Sequence, residues 1–166
     1  MGKLRLVGIV AIASLAVIQF NHIRQSAPVQ AQAQPTSTGL VVKASGYSVE
    51  ETRDRFTNIL DNKGLTIFGV IDHAENAANA ELSLRPTTVV MFGNAKLGTP
   101  LMQCEQTLAI DLPQKVLIWE DEQGQVQLAY NDPRYLGGRH RLEGCGSALI
   151  EKIGGALNGL TDAAVK

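Results

Sequence analysis

Hydrophobic and polar positions along this chain fall into distinct regimes. From Leu6 to Phe20 the residues form an uncharged apolar run, led by Lys3 and Arg5. A polar stretch follows and ends in Ala31-Gln32-Ala33. Beyond residue 40, short β-branched runs alternate with stretches of helical period. Leu40 to Ala44 predicts a first strand. Ser48 with Glu51 three residues on makes a capping box, and Val49, Phe56, Ile59 and Leu60 give one apolar helical face, ended by Gly64. Leu65 to Ile71 is apolar almost throughout, which predicts a strand in the interior of a sheet. Ala74 to Glu81 predicts a short helix, broken by Arg85-Pro86. Thr87 to Phe92 predicts a third strand, closed by Gly93-Asn94, with a helical segment from Gly98 through Cys104. Val116 to Trp119 and Gln125 to Tyr130 predict a hairpin turning at Asp121-Glu122-Gln123-Gly124. Asn131-Asp132-Pro133 reads as a turn. After Gly146, Ala148, Leu149, Ile153, Ala156, Leu157 and Leu160 recur at helical spacing, although Gly154, Gly155 and Gly159 weaken that helix in isolation.

The resulting order is β-α-β-(α)-β-(α)-β-β-α. Both long helices need an apolar surface to cover, so an α+β fold is expected, with helices packed on one face of a mainly antiparallel sheet. Residues 1–33 read as an export signal. The apolar run is too short for a comfortable membrane span, and Ala31-Gln32-Ala33 is an A-x-A pattern that places cleavage after Ala33. The alternative is an uncleaved anchor, which would be the domain's only tie to a membrane. Residues 34–39 form a polar lead-in, and 40–166 a single domain. The expected location is exported, periplasmic or extracellular.

Composition adds little to this picture except by exclusion. The aromatic fraction is 5%, so Val, Ile, Leu and Ala must build the core. Net charge is −1, and export would remove Lys3, Arg5 and Arg24, so no basic surplus remains to track nucleic acid. Cys104 and Cys145, the only cysteines, read first as a disulfide in an oxidising compartment. No motif assigns a cofactor.

The polar residues that can carry chemistry stand at strand ends and turns: Asp72, His73, Arg85, Asn94, Asp111, Asp132, Arg139 and His140. Together they outline a candidate strand-end cleft for a small ligand or protein partner. Asp72 either orients His73 or caps the following helix. His73 and His140, if they meet, would make a Zn²⁺ or Cu²⁺ site with Asp72, Asp111 or Asp132. Arg85, Arg139 and Arg141 suit an anion, while Arg85 could equally sit in a buried ion pair with Asp72 or Asp111. Gly93 to Thr99 is either an anion-cradling loop or a tight turn in which Gly93 and Gly98 supply positive φ. An acid–base or metal-assisted enzyme using His73, and a purely structural dimerisation module, are the alternatives to a binding domain.

One set of motifs carries a family resemblance. Phe68-Gly69-Val70-Ile71-Asp72-His73-Ala74, Leu84-Arg85-Pro86-Thr87-Thr88, Phe92-Gly93-Asn94, Gly98-Thr99-Pro100-Leu101-Met102, Asp111-Leu112-Pro113, Tyr130-Asn131-Asp132-Pro133 and Arg139-His140 occur in one order. Over residues 48–140 the chain resembles the family known as domain of unknown function 302. The resemblance implies a TATA-binding-protein-like topology, often dimeric, and leaves activity blank. The sequence departs from the pattern at Ala95, where Pro is usual, and in its two cysteines.

Overall fold

The computed structural model describes residue 2 and residues 38–166. The chain divides into residues 1–31 and 32–166, and every element below belongs to the second unit. The export segment 1–33, the cleavage point after Ala33 and most of the lead-in 34–39 lie outside the described residues. Among the described residues no helix is long and apolar enough to cross a membrane.

The elements are β1 (Leu40–Ala44), α1 (Val49–Asn62), β2 (Thr66–Asp72), α2 (His73–Asn79), β3 (Thr87–Gly93), α3 (Ala95–Cys104), a 3-10 turn (Gln106–Asp111), β4 (Gln114–Glu120), β5 (Val126–Asn131), α4 (Pro133–Arg139) and α5 (Ser147–Val165). The class is α+β, as expected. All five strands form one antiparallel sheet in the order β1-β5-β4-β3-β2, with the helices on one face. β2 to β5 run as a meander, and β1 closes the far edge. β1 and β2 are therefore parallel at opposite edges, and α1 crosses the sheet between them.

Local chemistry explains the elements. Ser48 caps α1 by accepting from the Glu51 N–H at 3.1 Å. Gly64 leaves α1 at φ +65 and Gly124 turns the hairpin at φ +76, both in the region that favours glycine. Phe56 and Leu60 of α1 and Val90, Val116, Ile118 and Leu128 of the sheet are fully buried and make the main core. Phe56 meets Phe92 edge to face, with centroids 5.2 Å apart. A second, smaller cluster of Leu101, Leu108, Leu136, Leu142 and Ile150 joins α3, α4 and the start of α5 below the sheet.

Three expectations need correction. The apolar β2 is an edge strand and not an interior one: Phe68 and Val70 stay 59% and 45% exposed, because the meander ends there. Asn131-Asp132-Pro133 starts a helix, since Asp132 accepts from the Arg134 N–H as N-cap and Pro133 occupies the first turn, where its missing N–H costs nothing. The stretch Gly93 to Thr99 is neither a cradle nor a positive-φ turn. Asn94 caps α3, which begins at Ala95 and runs past Gly98 with Pro100 inside it. Arg141 takes φ +56 just after α4, so its backbone makes the turn while its side chain stays exposed.

α5 contains three glycines with no steric reason for them. A Cβ at Gly154, Gly155 or Gly159 would meet no other atom within 4 Å. Alanine at each is therefore expected to raise stability by about 0.5–1 kcal/mol through backbone entropy and helix propensity. A urea series on the single variants checks this, and a loss at any of the three positions would mean the space has a use.

Candidate functional site

The sheet separates the candidate residues into two groups at its opposite ends. At the upper end, Asp72 Oδ1 accepts from the Glu75 N–H at 2.9 Å as N-cap of α2. His73 follows in the first turn of α2 with its side chain exposed. Arg85 is also exposed, and its Nε donates to the Glu120 carbonyl at 3.1 Å, so the expected buried pair with Asp72 or Asp111 is not formed. That bond ties the approach to β3 to the end of β4. Asp121 nearby is held below the ordinary carboxylate range, chiefly by the Gln127 side-chain amide and then by the Gln125 N–H.

At the lower end stand Asn94, Asp111, Asp132, Arg139 and His140. The seven residues of β3 put these groups on the order of 20 Å from His73. His73 and His140 therefore cannot share one ion. Among the described residues no three His, Cys, Asp or Glu side chains converge in the manner of a metal site.

Three of the lower residues do come together. His140 is buried, its Nε2 lies 2.6 Å from Asp111 Oδ2, and its Nδ1 lies 3.2 Å from Thr107 Oγ1. Arg139 Nη1 reaches Asp111 Oδ1 at 3.4 Å. Thr107 also donates to Glu105 Oε1 at 2.7 Å, and this bond, followed by the Thr107 N–H, holds Glu105 below its usual range. The arrangement ties the 3-10 turn to the end of α4. Asp132, also buried, is neutralised by Arg134, whose Nη2 lies 3.1 Å from Oδ2. It borders a polar hollow of about 260 Å³ with Tyr130, Glu151 and Gly154.

A second hollow lies between the lower strand ends, α3, the 3-10 turn and α5. It holds about 340 Å³ and is lined mainly by carbon, including Phe68, Leu97, Leu108, Ile153, Leu157 and Leu160. Of the eight candidate residues only Asn94 lines it. Polar atoms enter at Asn94, Thr99 and Gln114. The disulfide Cys104–Cys145 joins the end of α3 to the turn before α5, with Cα atoms 5.9 Å apart. Sequence reasoning missed the hollow because its lining has the same apolar periodicity as core.

The family model described as "Domain of unknown function DUF302" matches residues 41–160 of this chain. The chain belongs to the DUF302 family. The match extends the resemblance of residues 48–140 at both ends and takes in most of β1, most of α5 and both cysteines. A crystal structure titled "uncharacterized conserved protein DUF302 from Bacillus stearothermophilus" superposes with a TM-score of 0.63 at 16% identity, covering 78% of this chain and 97% of that one. That likeness shows the DUF302 fold alone. The chain is also 43% identical over 105 residues to "Fluoride-specific ion channel FluC 1" of Brucella suis biovar 1 (strain 1330), covering 63% of this chain and 41% of the relative. "Fluoride-specific ion channel FluC 2" of Brucella melitensis biotype 1 matches at 43% over 105 residues, with 39% of its length covered. The chain thus spans about two fifths of the length of the curated relatives it matches.

Proposed function

We propose that this DUF302 domain is an exported binding module that takes a small, largely apolar molecule in the hollow below the sheet. The hollow itself carries the proposal. At about 340 Å³ it falls in the size range of ligand pockets, roughly 300–1,000 Å³, and is lined as they are, mainly by carbon with a few polar groups. An apolar cavity of about 150 Å³ already stays dry and takes benzene. Export is supported by the N-terminal pattern and by the paired cysteines.

Titration with a naphthylamine dye that brightens in apolar surroundings tests the reading. Saturable binding is expected. Ala156→Trp, at an exposed position on the rim of the hollow, should weaken it about tenfold or more by occupying the space. A dye that never saturates, or one indifferent to this change and to Ala109→Trp, sinks the proposal.

A second reading draws on the Brucella relatives: the domain serves a fluoride channel. The apolar hollow offers no cluster of donors for so strongly hydrated an ion, so fluoride would have to act on the surface. Amide chemical shifts that stay unchanged on fluoride addition would remove direct fluoride binding.

A further inference from the structure

We infer that the ligand of the hollow below the sheet is an electrically neutral carbonyl compound, a ketone or ester whose oxygen is held by Asn94 and Gln114. The inference rests on the small-molecule reading of that hollow and narrows it to one chemical class. Charge sets the first limit. Among the described residues, no Asp, Glu, Lys, Arg or His side chain lines the hollow. An ion moved there would lose its water and gain no counter-charge, which disfavours ionised ligands. The two lysines beside the lining do not change this. Lys96 is exposed and stands outside the lining. Lys115 follows Gln114 on β4, so its side chain leaves from the opposite face of the sheet. Its Nζ is engaged by the carbonyls of Asp111 and Pro113 at 3.1 and 3.0 Å.

Strand register places the polar groups at one end. Gln114 opens β4 and pairs directly with Phe92 of β3. Directly opposed residues share a face of the sheet. Phe92 is buried on the helix side against Phe56, so Gln114 points there too. Asn94 comes two residues after Phe92 with its backbone still extended, and so keeps to that side. Such diagonal neighbours lie about 7–8 Å apart, near enough for two amide side chains to meet on one oxygen.

Both amides have a donor to spend. Asn94 Oδ1 accepts from the Lys96 N–H at 2.9 Å, which leaves its NH2 group to donate. The Gln114 side chain has no hydrogen-bond partner among the described residues. Ile153, Leu157 and Leu160 of α5 offer only carbon. An acceptor oxygen at the strand ends and a hydrocarbon body against α5 satisfy both parts of the lining. Scaled from the benzene-sized case, about 340 Å³ holds a molecule of roughly a dozen non-hydrogen atoms.

Displacement of N-phenylnaphthylamine, a neutral dye, from the purified protein tests the inference. The competitors, matched in chain length, are methyl octyl ketone, decanoate and decylamine at neutral pH. The ketone should displace the dye at a concentration about tenfold or more below that of either ion. Gln114→Leu should weaken the ketone relative to the dye by about threefold to tenfold, the scale of one lost hydrogen bond. Gln114→Glu should shift the preference to protonated decylamine by about tenfold, a change that a merely structural role would not produce. Circular dichroism confirms folding of each variant, and the comparison of competitors on the wild type stands without them. Saturable dye displaced equally well by decanoate and the ketone overturns the inference and leaves the hollow as a ligand site. A ketone affinity indifferent to both substitutions does the same. A dye that never saturates the wild type overturns the inference together with the reading on which it rests.

Discussion

Replacing Cys104 and Cys145 together by alanine is expected to cost about 4 kcal/mol of stability in the chain-entropy model, given their separation of 41 residues in sequence. The bond joins the end of α3 to the turn that leads into α5. Both segments pack on the small cluster of Leu101, Leu108, Leu136, Leu142 and Ile150, which buries far less than the sheet core. The loss should therefore be uneven. Hydrogen exchange in α3, the 3-10 turn and α4 should accelerate first, while β3, β4 and β5 keep their protection. Dye binding in the hollow should weaken in step, because α3 forms one of its walls. Urea unfolding with and without reductant gives the size, and exchange mapping gives the place. A change under about 1 kcal/mol, or one spread evenly over the sheet, would contradict the assignment of this bond as the clamp on the lower cluster.

The strands and both long helices were legible because their signals are local. A capping box at Ser48, a glycine at 64 and a period of two or 3.6 are each contained within a few residues. The α4 helix was missed although Asp132-Pro133 is a proper N-cap and first-turn pair, since Gly137 and Gly138 argue against a helix. Only packing decides that case: a Cβ at Gly137 would lie 3.6 Å from Ile150 of α5, close but not clashing. Strand position was not legible either. Leu65 to Ile71 is as apolar as an interior strand, and its place at the edge follows from topology alone. The grouping of site residues failed for the same reason. Asp72, His73 and Arg85 looked equivalent to Asn94, Asp111 and His140 because all border strand ends. Each antiparallel strand, however, exchanges upper for lower end, so which end a residue borders depends on the strand count before it. Asp111, Arg139 and His140 did converge, since β4 and β5 bring their flanks back to one end.

Asp162→Ala is expected to cost about 2 kcal/mol at neutral pH, more than Lys43→Met, although the two remove the same ion pair. Lys43 occupies an inward position of β1 and is buried, with Nζ 2.8 Å from Asp162 Oδ1 and from Thr161 Oγ1, and 2.8 Å from the Asn158 carbonyl. Asp162 is the wetter half, with its side chain 40% exposed. Removing the lysine lets this carboxylate rehydrate and puts a thioether of similar length against Tyr130. Removing the aspartate leaves an ammonium in the core. Burial already lowers the pKa of Lys43 from its ordinary 10.5, against the opposing pull of Asp162. Without Asp162 that lowering should deepen. Because the folded chain then releases the proton before the unfolded one, stability rises with pH across the window between the lowered value and 10.5. The deficit of Asp162→Ala should accordingly shrink as pH climbs from 8 toward 10, since a neutral amine needs no counter-ion. Above that range Tyr130 acts in the opposite direction. Burial holds its phenol protonated up to about 12, so stability falls as pH passes the ordinary 10. Urea midpoints for both variants at pH 7, 8, 9 and 10 give the comparison. Equal costs at pH 7, or a deficit that grows with pH, would mean that Lys43 is held by its carbonyl and hydroxyl partners alone.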